Sequence, residues 1–201
     1  KSEKNELYRL SLFGSLGTIG GALYLFLDTF MVNFYLGESA VGIYGTMYLF
    51  GVIVSVPARS LKNISISFVS DALADGRINE VKQIYKKGSN TLTVIGGLLF
   101  LGIVGNVYSI FGFLPEDFQN TFWVILFIGI AQLVDMVTSV NIEILAASKY
   151  YKLNTYFVFL SIIVAVIFNV IFIPIYGVSG AAFGTLLAIV LNNSIRCFTI
   201  W

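Results

Sequence analysis

The sequence predicts an all-α polytopic membrane protein with six transmembrane helices, and three observations carry that reading. Hydrophobic residues make up 57% of the 201 positions and mean hydropathy is +0.87, far from the mixed surface of a soluble domain. The apolar residues gather into six stretches, each near the ~20 residues a helix needs to cross a hydrocarbon core. Most charged residues fall in the connections between those stretches. Barrel strands would instead give weaker, alternating ten-residue segments.

The expected spans are about 10–35, 40–62 (with helical potential continuing to 72), 89–113, 121–145, 153–174 and 178–200. Their separators are LGES (36–39), SDALADGRINEVKQIYKKGS (70–89), LPEDFQN (114–120), ASKYYKLN (147–154) and IPIYGVSG (173–180). Orientation follows from Lys and Arg, which short translocated loops avoid. Lys1, Lys4 and Arg9 precede the first span, and Arg59, Lys62, Arg77, Lys82, Lys86 and Lys87 belong to the second connection. Lys149 and Lys152 lie in the fourth connection and Arg196 near the C-terminal end, which accounts for all 12 basic residues. The first and third connections carry Glu38, Glu116 and Asp117 instead. Both termini are therefore expected on the cytoplasmic side. An even helix count keeps a duplicated copy in the same orientation, so six helices suit one lobe of a two-lobed transporter. The missing initiator Met and the stop at Trp201 after an apolar run lead us to expect a piece of a longer protein. The mixed charges of KSEKNELYRLS and the long run after it do not fit a signal peptide.

Composition also excludes whole classes of function. The chain has no His, so histidine catalysis, HExxH zinc sites and histidine proton relays are out, and the single Cys197 gives neither a disulfide framework nor a metal cluster. No phosphate loop, nucleophile elbow or dinucleotide fingerprint occurs. No enzyme, cofactor, metal or nucleic-acid partner is indicated.

Segment 74–88 is the one sizeable connection. Ile78, Val81, Ile84 and Tyr85 recur at helical spacing against Arg77, Lys82, Lys86 and Lys87. It reads as an amphipathic helix on the anionic cytoplasmic surface, or as a solvated hinge carrying basic residues.

Polar residues inside spans are costly, so each is a functional candidate. Asp28 lies late in the first span, where a carboxylate can either reach interfacial water or serve a site. Gln132, Asp135, Ser139 and Glu143 recur at spacings of three, four and four, one helix face that cannot meet lipid. Asp135 on that face could bind a proton or cation, or pack as a hydrogen-bonded acid between helices, while Glu143 could pair with Lys149 or Lys152. Asn141, Asn169, Asn192 and Asn193 suit interhelical hydrogen bonding. The pairs Gly17 and Gly21, and Gly180 and Gly184, fit close helix contact. In VSVPARSLKNISISF (54–68), Arg59 and Lys62 sit three apart after Pro57. They mark the cytoplasmic end of the second span, and they also place two cations where an anionic group entering from that side would meet them.

Four segments occur in an order that resembles a known family: DTFMVNFYLGESAVGIYG (28–45), ALADGRINEVKQIYKKGSNTLTVIGG (72–97), NIEILAASKYYKLN (141–154) and FNVIFIPIYGVSGAAFGT (168–185). They look like the second half of a polysaccharide or lipid-linked oligosaccharide flippase, in the superfamily that also holds multidrug extruders and lipid II flippases. The resemblance implies a C-terminal six-helix lobe facing a second lobe, absent here, across a central cavity. It implies transport of an undecaprenyl-pyrophosphate-linked oligosaccharide across the bilayer by alternating access, in a prokaryotic cytoplasmic membrane, with a polysaccharide polymerase or glycosyltransferases as further partners. It places Asp28, Arg59 and Lys62 on cavity-lining spans, with the basic pair toward the diphosphate. A multidrug or organic-cation antiporter that uses Asp135 for coupling, and a non-transporting membrane scaffold, are the alternatives.

Overall fold

The computed structural model describes residues 2–138, 141–147 and 151–200. Among them the chain is helical throughout apart from short connections: α1 (Ser2–Leu36), α2 (Glu38–Ile53), α3 (Val56–Ala74), α4 (Ile78–Gly105), α5 (Val107–Phe111), a 3-10 turn (Glu116–Phe118), α6 (Phe122–Val137), α7 (Asn141–Ala147), α8 (Tyr151–Tyr176) and α9 (Val178–Ile200).

Four of these helices contain segments long and apolar enough to cross a membrane: Ser15–Leu36, Ile78–Gly105, Lys152–Tyr176 and Val178–Thr199. The expected second span is a broken one, in which α2 and α3 meet at 57°. The break has a local cause. Pro57 is the second residue of α3, so its missing N–H and its ring disrupt the ladder one turn back, and Ser55 Oγ donates to the Val52 carbonyl at 2.9 Å. The expected fourth span is also divided. α6 has 16 residues, about 24 Å of helix, and ends at Thr138 before α7 resumes at Asn141.

The basic segment 74–88 differs from a separate surface helix in two ways. From Ile78 it forms the first three turns of α4, which runs on unbroken to Gly105. Its apolar positions are also occupied, since Val81 packs in a cluster with Val69, Ala72 and Ile144 that Ile84 and Tyr85 flank. The C-terminal end of α3 and the N-terminal end of α4 thus bury their stripe against each other and α7, leaving Lys82, Lys86 and Lys87 exposed.

Packing is inside-out relative to a soluble protein. Phe26, Phe30 and Phe34 on α1 are about 70% exposed or more, as large apolar side chains facing lipid should be. The main core lies among α1, α2, α5, α6, α8 and α9, where Val32, Tyr44, Met47, Val124, Ile125, Ile128 and Ile173 are sealed. A second cluster of Val54, Ala58, Leu92 and Met136 sits at the bend of the broken span.

Helices approach closely where glycines permit it. A Cβ on Gly180 would lie 2.1 Å from the Phe172 carbonyl oxygen, and one on Gly184 would lie 2.7 Å from Asn169 Oδ1. The α8–α9 hairpin, turned by Gly177 at φ +60, therefore depends on that small-residue stripe. The other expected pair behaves differently: a Cβ on Gly17 would lie 3.5 Å from Thr155 Oγ1, an ordinary contact, whereas one on Gly21 would have nothing within 4 Å because it borders a cavity.

Candidate functional site: a polar cavity inside the lobe

The polar residues converge on a cavity of about 320 Å³ enclosed mainly by α1, α6, α8 and α9. Tyr24 and Asp28 project from α1 at helical spacing, and Tyr48 comes from α2. Gln132 and Asp135 come from α6, and Ser161 from α8. Thr185, Ile189, Asn192, Asn193 and Arg196 form a stripe down α9. In a lipid-surrounded helix these side chains have one favourable direction, inward.

Asp28 forms a four-helix junction at the cavity wall. Asn169 Nδ2 on α8 donates to its Oδ1 at 2.7 Å, Tyr44 Oη on α2 donates to its Oδ2 at 3.0 Å, and Thr185 Oγ1 on α9 donates to the same oxygen. Three donors aimed at one carboxylate compensate the loss of water around a charged group, which is the condition for keeping it within a membrane domain. Asp28 therefore reaches protein donors rather than interfacial water. Among the described residues Asn169 Oδ1 has no hydrogen-bond partner, and it lies tight against Gly184.

Asp135 stands near the bend of the broken span, facing α3. Its Oδ2 accepts from Lys62 Nζ at 2.7 Å, with side-chain exposures of 19% for the lysine and 31% for the acid. Half-buried ion pairs of this geometry cost much more to break from one side than they contribute to net stability. Arg59 and Lys62 were expected on one face, and the structure separates their surroundings: Lys62 turns inward to α6, whereas Arg59 is exposed and makes no ion pair among the described residues.

Of the stripe expected along residues 132–143, Gln132 and Asp135 share the cavity. Ser139 lies outside the described residues, and α6 has already ended at Thr138. Glu143 falls within α7, its side chain outside the described ones. Asn193 bridges helices, with Thr138 Oγ1 2.8 Å from its Oδ1, and it donates from Nδ2 to the Ile189 carbonyl at 3.1 Å. Asn141 is fully buried just beyond the α6 break, and its amide meets no hydrogen-bond partner among the described residues.

Three contributors escaped the reading by span. Tyr44 and Thr185 complete the Asp28 junction, and Arg196 is buried with its guanidinium 5.9 Å from the centroid of the Phe157 ring. Arg196 had been counted only as a cytoplasmic charge. The signal was present in α9, where Thr185, Asn192 and Arg196 follow at seven and four residues, the same helical period that marked α6. Among the described residues, the acids Asp28 and Asp135 and the bases Lys62 and Arg196 all lie in or beside this interior.

The chain is similar to two curated proteins of Haloferax volcanii. It is 25% identical to the probable flippase AglR over 203 aligned positions, which cover 96% of this chain and 41% of that protein. It is 25% identical to the probable low-salt glycan biosynthesis flippase Agl15 over 192 positions, 94% of this chain and 40% of that protein. The chain thus spans about two fifths of the length of the curated relatives it matches. No family model and no solved structure matches it. Both matches bear out the flippase resemblance drawn from the sequence motifs.

Proposed function

We propose, from that likeness, that this multi-pass membrane chain is one six-helix lobe of a flippase that carries a lipid-linked oligosaccharide from the inner to the outer leaflet. The supporting observation is the likeness to two probable flippases over nearly the entire chain. In this reading the lobe works with a second lobe by alternating access, in a prokaryotic cytoplasmic membrane, both termini cytoplasmic. Polysaccharide polymerase or glycosyltransferases are the partners that would consume or supply its substrate.

The residues divide the work by depth. Arg59, exposed at the cytoplasmic end of the broken span, meets the diphosphate of the carrier lipid, and Lys62 stands one turn further on. Arg suits that task because its guanidinium pairs two phosphate oxygens at once. Asp28 holds α1, α2, α8 and α9 together, so the lobe moves as a body. Gln132 and Asp135 form the polar face of the cavity where a coupling proton or cation would act. The organic-cation antiporter needs uncompensated carboxylates, and both cavity acids already have protein partners.

The test is complementation. The chain, expressed together with its companion lobe in cells lacking their own oligosaccharide flippase, should restore surface glycan, and Arg59→Ala should cut that restoration at least several-fold. No restoration overturns the substrate class. Full activity in Arg59→Ala, Lys62→Ala and Asp135→Asn alike would favour the scaffold.

A further inference from the structure

The broken span is held by different neighbours on either side of its bend. α2 packs along α1 and α6, whereas α3, turned by 57°, packs on α4 and α7. Near the pivot the contact is apolar, through Val54, Ala58 and Met136. One turn further along α3, Lys62 reaches across to Asp135 on α6 at 2.7 Å. An ion pair placed beyond a pivot fixes an angle: α3 cannot swing relative to α6 without separating the two charges.

The same lysine has a second possible partner side. Arg59 precedes it by three residues, so the two cations are neighbours along α3, and Arg59 is exposed. An anion with several oxygens that bridges both cations must compete with Asp135 for Lys62 Nζ. A phosphate or diphosphate ester is such an anion, and it offers two cations more oxygens than a single carboxylate can.

We propose that Asp135 is an exchangeable counter-ion for Lys62. With the pair closed, the strut holds the span at its present bend; a phosphate or diphosphate ester bridging Arg59 and Lys62 displaces Asp135 and releases α3 to swing. The identity of the anion rests on the flippase reading, whereas the strut does not. The energetic requirement is differential affinity: the anion shifts the bend only because it binds the open arrangement better than the closed one.

The experiment measures the bend directly. Spin labels at Leu49→Cys on α2 and Ser67→Cys on α3, both exposed, with Cys197→Ser, report the α2–α3 distance in lipid nanodiscs. Ser67 lies about 17 Å along α3, so a swing of roughly 20° moves it on the order of 6 Å. Lys62→Gln and Asp135→Asn should each shift or broaden the distribution. Lys62→Arg should retain it, and the exchange Lys62→Asp with Asp135→Lys should restore it. A short-chain isoprenyl diphosphate should shift the wild-type distribution as Lys62→Gln does and leave Lys62→Gln unmoved, and the isoprenyl alcohol should do nothing. The proposal is overturned if the charge exchange fails to restore the distance while Lys62→Arg behaves as wild type. An unresponsive wild type overturns it equally, whereas phosphatidylglycerol in the disc acting as strongly as the diphosphate supports the exchange and assigns the anion to the bilayer. A normal strut response beside failed complementation supports the strut and counts against the transport reading alone.

Discussion

Asp28 accepts hydrogen bonds from Tyr44, Asn169 and Thr185, and each donor belongs to a different helix, so single substitutions there report on the assembly of these helices. Tyr44→Phe removes one donor and keeps the ring in the core, and it should cost about 1 kcal/mol. Asp28→Asn is predicted to be worse, near 2–3 kcal/mol, because its new amide nitrogen must face donors that need acceptors. Thermal unfolding in detergent measures both, and equal midpoints for Asp28→Asn and wild type would exclude the junction. The sequence exposed Asp28 as an anomaly in an apolar run, but two of its three partners, the Thr185 hydroxyl and the Asn169 amide, are more than a hundred residues away. Thr185 and Tyr44 are ordinary residues in membrane helices, so nothing in their own surroundings singled them out.

At the scale of elements, spacing was legible and continuity was not. Four of the apolar stretches lie in helices long and apolar enough to cross a membrane and a fifth forms the bent α2–α3 pair, because length and apolarity are set by the bilayer, whereas α6 alone is shorter. The breaks at Ser55 and Thr138 depend on local chemistry. Pro57 announced the first, whereas the second falls at a threonine whose hydroxyl turns to the Val134 carbonyl and Asn193, a tertiary contact. The amphipathic pattern of 78–88 fits a helix on a lipid surface as well as one packed on α3 and α7, and only the fold separates the two. The glycine stripes give the sharpest prediction. Gly180→Ala places a methyl group into a backbone carbonyl and should lower stability by roughly 3 kcal/mol or more, by forcing α8 and α9 apart. Gly21→Ala, with open space before it, should stay within about 0.5 kcal/mol of wild type. A comparable loss in both variants would mean that helix propensity, and not contact, decides.

For the whole molecule, charge placement makes a statement that needs no side-chain detail. Basic residues flank only alternate connections, so cysteines placed at Gln83 and at Asp117 should be on opposite sides of the membrane. An impermeant thiol reagent applied to intact cells should label Asp117→Cys and spare Gln83→Cys until the membrane is opened. The reverse pattern would invert the proposed orientation and move Arg59 and Lys62 to the outer face.

The Asp28 junction also has a consequence for biosynthesis. Its Asn169 donor lies 141 residues further along the chain, and Thr185 lies 157 residues away. At ~5–20 residues per second, a ribosome needs on the order of ten to thirty seconds to deliver them. Throughout that interval α1 carries a carboxylate without two of its three donors, so it has to wait at the translocon or at the aqueous edge of the bilayer. Among the described helices, α1 is therefore synthesised ahead of the others yet among the last to seat, and α9 is the segment whose arrival releases it.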